Sequence, residues 1–298
     1  MQHNQRKQEL PITLLIQISG YSSILFVTLI LLFLLREGLP TLGDMPLSSL
    51  LGTRWYPIEN MFGVWPLITG SLIVTLGAML IALPLGVGTA IFIAEIAPTW
   101  VNNLLKPLIE ILAGLPSVVL GFIGIQLLAP NLRRLLDPPT GLTAFSGAVL
   151  LALIAIPTIV SLSEDALNTV PQSYREASLA LGATRWQTIW GVTLPAARSG
   201  VLNAVMLGIG RTIGETMAVM MVTGNAPVLP HGLDAFFLPV RTMTATIASE
   251  MGEVANNSPH YHVLFFIGII LFVFSLIVNV VASSVSMRGR TRAERLLS

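Results

Sequence analysis

The chain has 298 residues, of which 53% are hydrophobic and only 10% charged. Soluble domains carry about 25% charged residues, so this composition excludes an ordinary soluble domain and indicates an integral membrane protein. Sixteen Lys and Arg against 15 Asp and Glu leave a net charge of +1, which gives no basic face for nucleic acid, and the absence of Cys excludes disulfides and cysteine metal sites.

Residues 1–11 are polar, and residues 12–35 then run without a charge. A membrane-spanning helix needs about 20 apolar residues, whereas a signal peptide has an apolar region of roughly 7–15. This segment is therefore expected to stay as an anchor. Residues 36–62 read as a polar loop holding Trp55 and Tyr56, and 64–94 as a second span with Pro84 inside it. Residues 95–106 read as a short turn. The third span is expected over 111–132 with Pro116, and the fourth over 142–163 with Pro157. The fifth is expected over 199–223, carrying Arg211 and Glu215. A long loop over 224–262 precedes a sixth span over 263–287, and 288–298 is a basic tail. Interior prolines at 84, 116 and 157 are expected to kink three helices. Trp55, Trp65, Trp100, Trp186 and Trp190 fall near expected span ends, where amphipathic rings settle.

Six spans put both termini on one side. With the termini inside, the inner segments hold Arg6, Lys7, Lys106, Arg175, Arg185, Arg198, Arg288, Arg290, Arg292 and Arg295. The outer segments hold Arg36, Arg54, Arg133, Arg134 and Arg241. The positive-inside rule favours cytoplasmic termini, with Arg133 and Arg134 dissenting.

Within the loop 165–196, residues 176–195 form the longest moderately polar stretch between apolar runs. Thr169, Pro171 and Gln172 carry a helix-start signature, and Gly182 is expected to stop that helix in a left-handed C-cap. Thr184 with Gln187 repeats the capping-box spacing, and Leu194-Pro195 is expected to end the second helix. One reading is an amphipathic connector between two spans. The other comes from a likeness: Glu176-Ala177-Ser178, Gly182 six residues after the Glu, and Leu194-Pro195 resemble the EAA loop of permease subunits of ABC-type importers. Ser178 stands where that pattern usually has Ala. The resemblance implies an all-α membrane protein with six transmembrane helices, the type I importer permease fold, and a cytoplasmic coupling helix seated on a separate ATPase. Glu176, Ala177, Gly182, Leu194 and Pro195 would then couple the chain to that ATPase.

The fifth expected span carries Arg211 and Glu215 at its centre, where each charge costs about 2.5–3.5 kcal/mol on insertion scales. They are four residues apart and would share one helix face, in the less favourable order for the helix dipole. They read either as a structural ion pair or as part of a translocation path, where the permanently charged fork of Arg suits a tetrahedral oxyanion. Gly210 and Gly214 read as positions of close helix packing, and the spacing of Gly208, Gly210 and Gly214 is not that of a dinucleotide fingerprint. A Walker A pattern is absent, so ATP hydrolysis is not expected of this chain. No cofactor or metal is expected. His260 and His262 read as solvated or interfacial, and Glu250 and Glu253 as loop surface.

The stretch around Arg211, G-R-x-x-G-E-T-M-A-V followed by G-N, and the segment EILAGLPSVVLG ending at Gly121 resemble PstC-type permeases of bacterial phosphate importers. The likeness covers roughly residues 65–287, leaving 1–64 as a tail, first helix and loop, and 288–298 as a tail. It implies inorganic phosphate as substrate and a site at Arg211 and Glu215. It implies a PstA-type permease subunit, an ATP-binding subunit dimer and a periplasmic phosphate-binding protein as partners, in the bacterial cytoplasmic membrane. Another oxyanion, sulfate or molybdate, stays open as substrate. A membrane-embedded enzyme with Glu215 as acid–base group lacks a matched His or Asp in a span.

Overall fold

The computed structural model describes residues 2–230 and 232–297. Arg6, Lys7 and the arginines of 288–298 belong to stretches whose side chains lie outside that description. The elements in order are α1 (Gln2–Gly38), α2 (Thr41–Asp44), α3 (Leu47–Leu50), β1 (Trp55–Tyr56), β2 (Met61–Phe62), α4 (Trp65–Ile91), α5 (Thr99–Gly114), α6 (Ser117–Ile123) and α7 (Ala129–Leu136). They continue with α8 (Ala144–Asn168), α9 (Gln172–Ala180), α10 (Arg185–Thr188), α11 (Leu194–Gly214), α12 (Met217–Val222), α13 (Met243–Glu250) and α14 (Pro259–Leu297). Turns of π-helix over Phe92–Ile96, Gly124–Leu128 and Ile189–Thr193 extend α4, join α6 to α7 and join α10 to α11. Six stretches are long and apolar enough to cross a membrane: Thr13–Asp44, Trp65–Ile96, Ser117–Leu136, Ala144–Asn168, Arg185–Gly214 and Pro259–Val281.

The bundle is organised on α8, the most buried of the spans, which packs on α4 and α11. Ile159 of α8 is fully buried, and both neighbours meet it with glycine. A Cβ on Gly86 of α4 would lie 2.8 Å from Ile159 Cγ2, and one on Gly208 of α11 would lie 2.6 Å from Ile159 Cγ1. The close approach thus belongs to Gly208. Gly210 and Gly214, expected to pack closely, face open space. Over residues 13–37 the outer helix α1 is mostly exposed, and it pairs with α14, where Phe33 and Phe265 meet edge to face at 5.5 Å. Its exposed Leu, Ile and Phe face is what a lipid-facing helix requires, since water would penalise it.

Several expectations are corrected. Residues 95–106 are not a turn, because Thr99–Gly114 forms the amphipathic helix α5. The third span begins at Ser117 rather than 111. Leu115 adopts φ −67°, ψ 133°, the extended conformation favoured before proline, and Pro116 starts α6 instead of kinking it. Pro84 and Pro157 do lie inside α4 and α8. The fifth span does not continue to 223; α11 stops at Gly214, Glu215 is extended (φ −69°, ψ 127°), and α12 restarts at Met217.

The segment 224–262 is not a free loop. It carries α13, whose Met243 N–H donates to Ser71 Oγ of α4 at 2.9 Å. Trp55 is buried in the core with Phe62, not at a membrane surface, and its indole N–H donates to Glu250 Oε1 at 3.1 Å. Glu250 also pairs with Arg241 Nη2 at 2.8 Å and His260 Nε2 at 2.8 Å, so neither Glu250 nor His260 is solvated loop surface. His262 Nδ1 lies 2.8 Å from the carbonyl of Glu37, joining α14 to α1.

Candidate coupling and translocation sites

At one end of the bundle, α9 stands out from the spans with Glu176, Ala177 and Gly182 exposed. The expected cap at Thr169 does not form; its hydroxyl donates backwards to Ala166 O at 2.7 Å, and Pro171 precedes the first helical residue. The expected stop at Gly182 does form. Gly182 has φ +85°, its N–H reaches Leu179 O at 2.9 Å, and Ala183 N–H reaches Ser178 O at 3.2 Å. That is the double-bonded glycine C-cap, which satisfies carbonyls the helix leaves free. Thr184 and Gln187 then build the full capping box of α10. Leu194-Pro195 does not end a helix: the chain runs from α10 through the π turn directly into α11, so Pro195, which has no N–H to donate, lies inside a continuous helical run just after that turn.

Arg175, which sequence reasoning treated only as a positive charge, is the best-anchored residue of this end. Its Nη2 and Nε bind Glu95 at 2.7 and 3.1 Å, Nη2 donates to Leu167 O at 2.9 Å, and Nη1 donates to Val170 O at 2.7 Å. The visible signal was a charge adjoining Glu176 and a solitary carboxylate, Glu95, at the end of a long apolar run. Ser178 Oγ lies 2.9 Å from Thr188 Oγ1, so the departure from the usual Ala adds a link between α9 and α10. Beside α9 opens a cleft of about 540 Å³ lined by Glu95, Asn168, Gln172, Arg175 and Arg185 among others. Next to it Lys106 of α5 binds the buried Glu164 of α8 at 2.8 Å. That hydrogen bond raises the Lys106 ammonium above its usual 10.5.

The second site lies deeper. Arg211, near the end of α11, extends its Nη1 to Thr158 Oγ1 at 3.3 Å, in the middle third of α8, and its Nη2 to Ala113 O at 3.4 Å, just before the α5–α6 break. Both bonds are long, both acceptors are neutral, and the side chain is exposed. The pairing with Glu215 expected from their spacing does not occur. The helix breaks between them, and no carboxylate binds Arg211 among the described residues. Glu215 Oε1 instead accepts Ala218 N–H at 3.3 Å, capping α12, while its carbonyl accepts the Thr244 hydroxyl at 3.1 Å. The halves beyond the two breaks pack together: a Cβ on Gly121 of α6 would lie 3.1 Å from Ala218 Cα of α12. Arg211 therefore stands between two interrupted helices at one level of the bundle. Interrupted backbone at membrane depth is tolerated where it is buried in protein or lines a water-filled cavity.

A six-span helical bundle with broken helices inside and a short capped helix projecting from one end is the fold of type I ABC importer permeases. Residues 82–288 match the model of the family described as binding-protein-dependent transport system inner membrane component, and the chain belongs to that family. It is a multi-pass inner-membrane protein. A probable ABC transporter permease protein YqgH of Bacillus subtilis (strain 168) is 41% identical over 83% of this chain and 80% of its own length. The phosphate transport system permease protein PstC of Xylella fastidiosa (strain Temecula1 / ATCC 700964) is 33% identical over 86% of this chain and 84% of its own. Among solved structures, a bacterial alginate ABC transporter in complex with its pentasaccharide-bound periplasmic protein superposes with a TM-score of 0.63 at 14% identity, covering 95% of this chain and 96% of the other. At that identity the likeness speaks for the fold alone.

Proposed function

We propose that this permease carries inorganic phosphate inward across the cytoplasmic membrane, driven by ATP hydrolysed on a separate subunit. The observation that carries the reading is Arg211: an exposed permanent cation level with the middle third of α8, with two long bonds to neutral oxygens and no carboxylate among the described residues. Such a group is poised for an anion, and the planar guanidinium matches a tetrahedral oxyanion through paired donors. Glu215 contributes by holding the α11–α12 break open beside it. The PstC relatives support phosphate over other anions. By the same likeness the working assembly pairs this chain with a PstA-type permease subunit, an ATP-binding subunit dimer and a periplasmic phosphate-binding protein. Residues 65–287 form the transport core, with 1–64 and 288–298 outside it.

Coupling runs through 165–196, where the exposed Glu176, Ala177 and Gly182 meet the ATPase and Leu194 and Pro195 lead the strain into α11. The α9 end and both termini face the cytoplasm, as the distribution of Lys and Arg favours. Because the chain has no Cys, single cysteines report this directly. Cysteines at Asn60 and Asn256 are expected to react with an impermeant maleimide from outside, and one at Thr184 is not; external labelling at 184 reverses the orientation. The substrate is tested by uptake of labelled phosphate, sulfate and molybdate into vesicles holding the full complex. Phosphate alone is expected to accumulate. Accumulation of sulfate or molybdate in its place sinks the phosphate reading and leaves an oxyanion permease of another class.

A further inference from the structure

A rigid link is needed if a push on α9 is to move the walls around Arg211, and α9 is joined to α8 only through the short stretch between Asn168 and Gln172. A short peptide linker by itself would let α9 swivel. The Arg175 guanidinium closes that gap from three directions. It forks onto the Glu95 carboxylate, which the π turn Phe92–Ile96 places at the end of α4. It also donates to Leu167 O in the last turn of α8, a carbonyl that Val170 N–H reaches as well at 3.2 Å, and to Val170 O in the linker just beyond that helix. The pair is well shielded, with side-chain exposures of 14% and 9%. A cation at a helix C-terminus also complements the helix dipole.

We infer that Arg175 is a positioning residue for energy coupling: its clamp on Glu95, Leu167 and Val170 makes α9 move as one body with the ends of α4 and α8. The path then continues through α8 to Thr158, the residue that touches Arg211. A bound ATPase that displaces α9 thereby shifts the α8 wall of the anion site rather than bending the linker. Lysine cannot replace the arginine, because one ammonium on a flexible stem does not span a carboxylate and two carbonyls at once. Clusters of π turn at both flanks of α9, over Phe92–Ile96 and Ile189–Thr193, fit the same role, since such turns recur at functional positions.

This inference rests on the transport reading above, and the experiment separates the two. In vesicles with the full complex, anion moved per ATP hydrolysed is measured for the native chain, for Arg175→Lys, and for Glu95→Cys/Arg175→Cys before and after joining with a short bis-maleimide. Arg175→Lys is expected to assemble and to hydrolyse ATP, with anion moved per ATP reduced about tenfold. The uncoupled double-cysteine protein is expected to recover most of the native ratio once cross-linked, which a role in folding alone would not produce. A native ratio in Arg175→Lys, loss of assembly in that variant, or no recovery on cross-linking each overturns the clamp. If the native complex moves no phosphate, the phosphate reading fails, and the same ratio is read with the oxyanion it does move.

Discussion

Two arginines show how the same side chain serves opposite ends of this molecule. Arg175 is shielded, binds a carboxylate at 2.7 Å and donates to Leu167 O at the end of α8 and to Val170 O in the linker beyond it. Arg211 is exposed, reaches two neutral oxygens at 3.3 and 3.4 Å, and pairs with no carboxylate among the described residues. A guanidinium whose donors are all spoken for holds structure together. One left with weak neutral partners at membrane depth retains donors for something that arrives. The difference teaches that of the two readings the sequence left open for Arg211, the geometry favours the unpaired one, while Arg175, read only as a positive charge, is the structural arginine.

The contrast breaks most readily on stability. Removing one partner of a shielded ion pair strands the other, at a cost of about 3 kcal/mol or more. Arg175→Ala is therefore expected to destabilise the protein by about 3 kcal/mol in a denaturant melt in detergent, discounting the upper range because the pair keeps some exposure. A loss under about 0.5 kcal/mol, the size expected of an ordinary surface change, would erase the distinction between the two arginines.

A smaller effect sharpens the comparison at the α9 end. Gly182 has open space around its Cα, so a side chain there meets no neighbour, and only the φ of +85° opposes it. Gly182→Val is expected to cost about 1–2 kcal/mol by strain in the left-handed region. The strain is local to the turn that presents α9, so the variant should insert and assemble but lose stimulation of ATP hydrolysis by loaded binding protein. Full stimulation in an assembled complex would take Gly182 out of the coupling path.

What could be read in the sequence follows from how local its cause is. The six spans, the Gly182 stop and the Thr184–Gln187 capping box depend on residues within a few positions of each other, and all are present. The break at Glu215 was not legible, because nothing local forbids a helix through Gly214 and Glu215. It is held by Thr244, 29 residues away, bonding the Glu215 carbonyl, and by the Glu215 side chain capping α12. Trp55 looked like an interfacial ring because its burial depends on the hairpin partner Phe62 and on Glu250, nearly 200 residues on. The Arg175–Glu95 pair is also remote in sequence, its members 80 positions apart.

The central claim is that Arg211 meets the transported anion, and one measurement addresses it most directly: phosphate uptake and ATP hydrolysis by the reconstituted complex carrying Arg211→Ala/Glu215→Ala. With no ion pair to break, this double change should leave assembly intact, and the melt should fall by only about 0.5–2 kcal/mol, the cost of losing the Glu215 bond to Ala218 N–H. A charged hydrogen-bond partner lost from the anion is worth about 1.5–3 kcal/mol, so uptake at limiting phosphate is expected to fall about 10- to 100-fold while ATP is still hydrolysed. Uptake near the native rate in an assembled complex would contradict the account and place the anion's path away from Arg211.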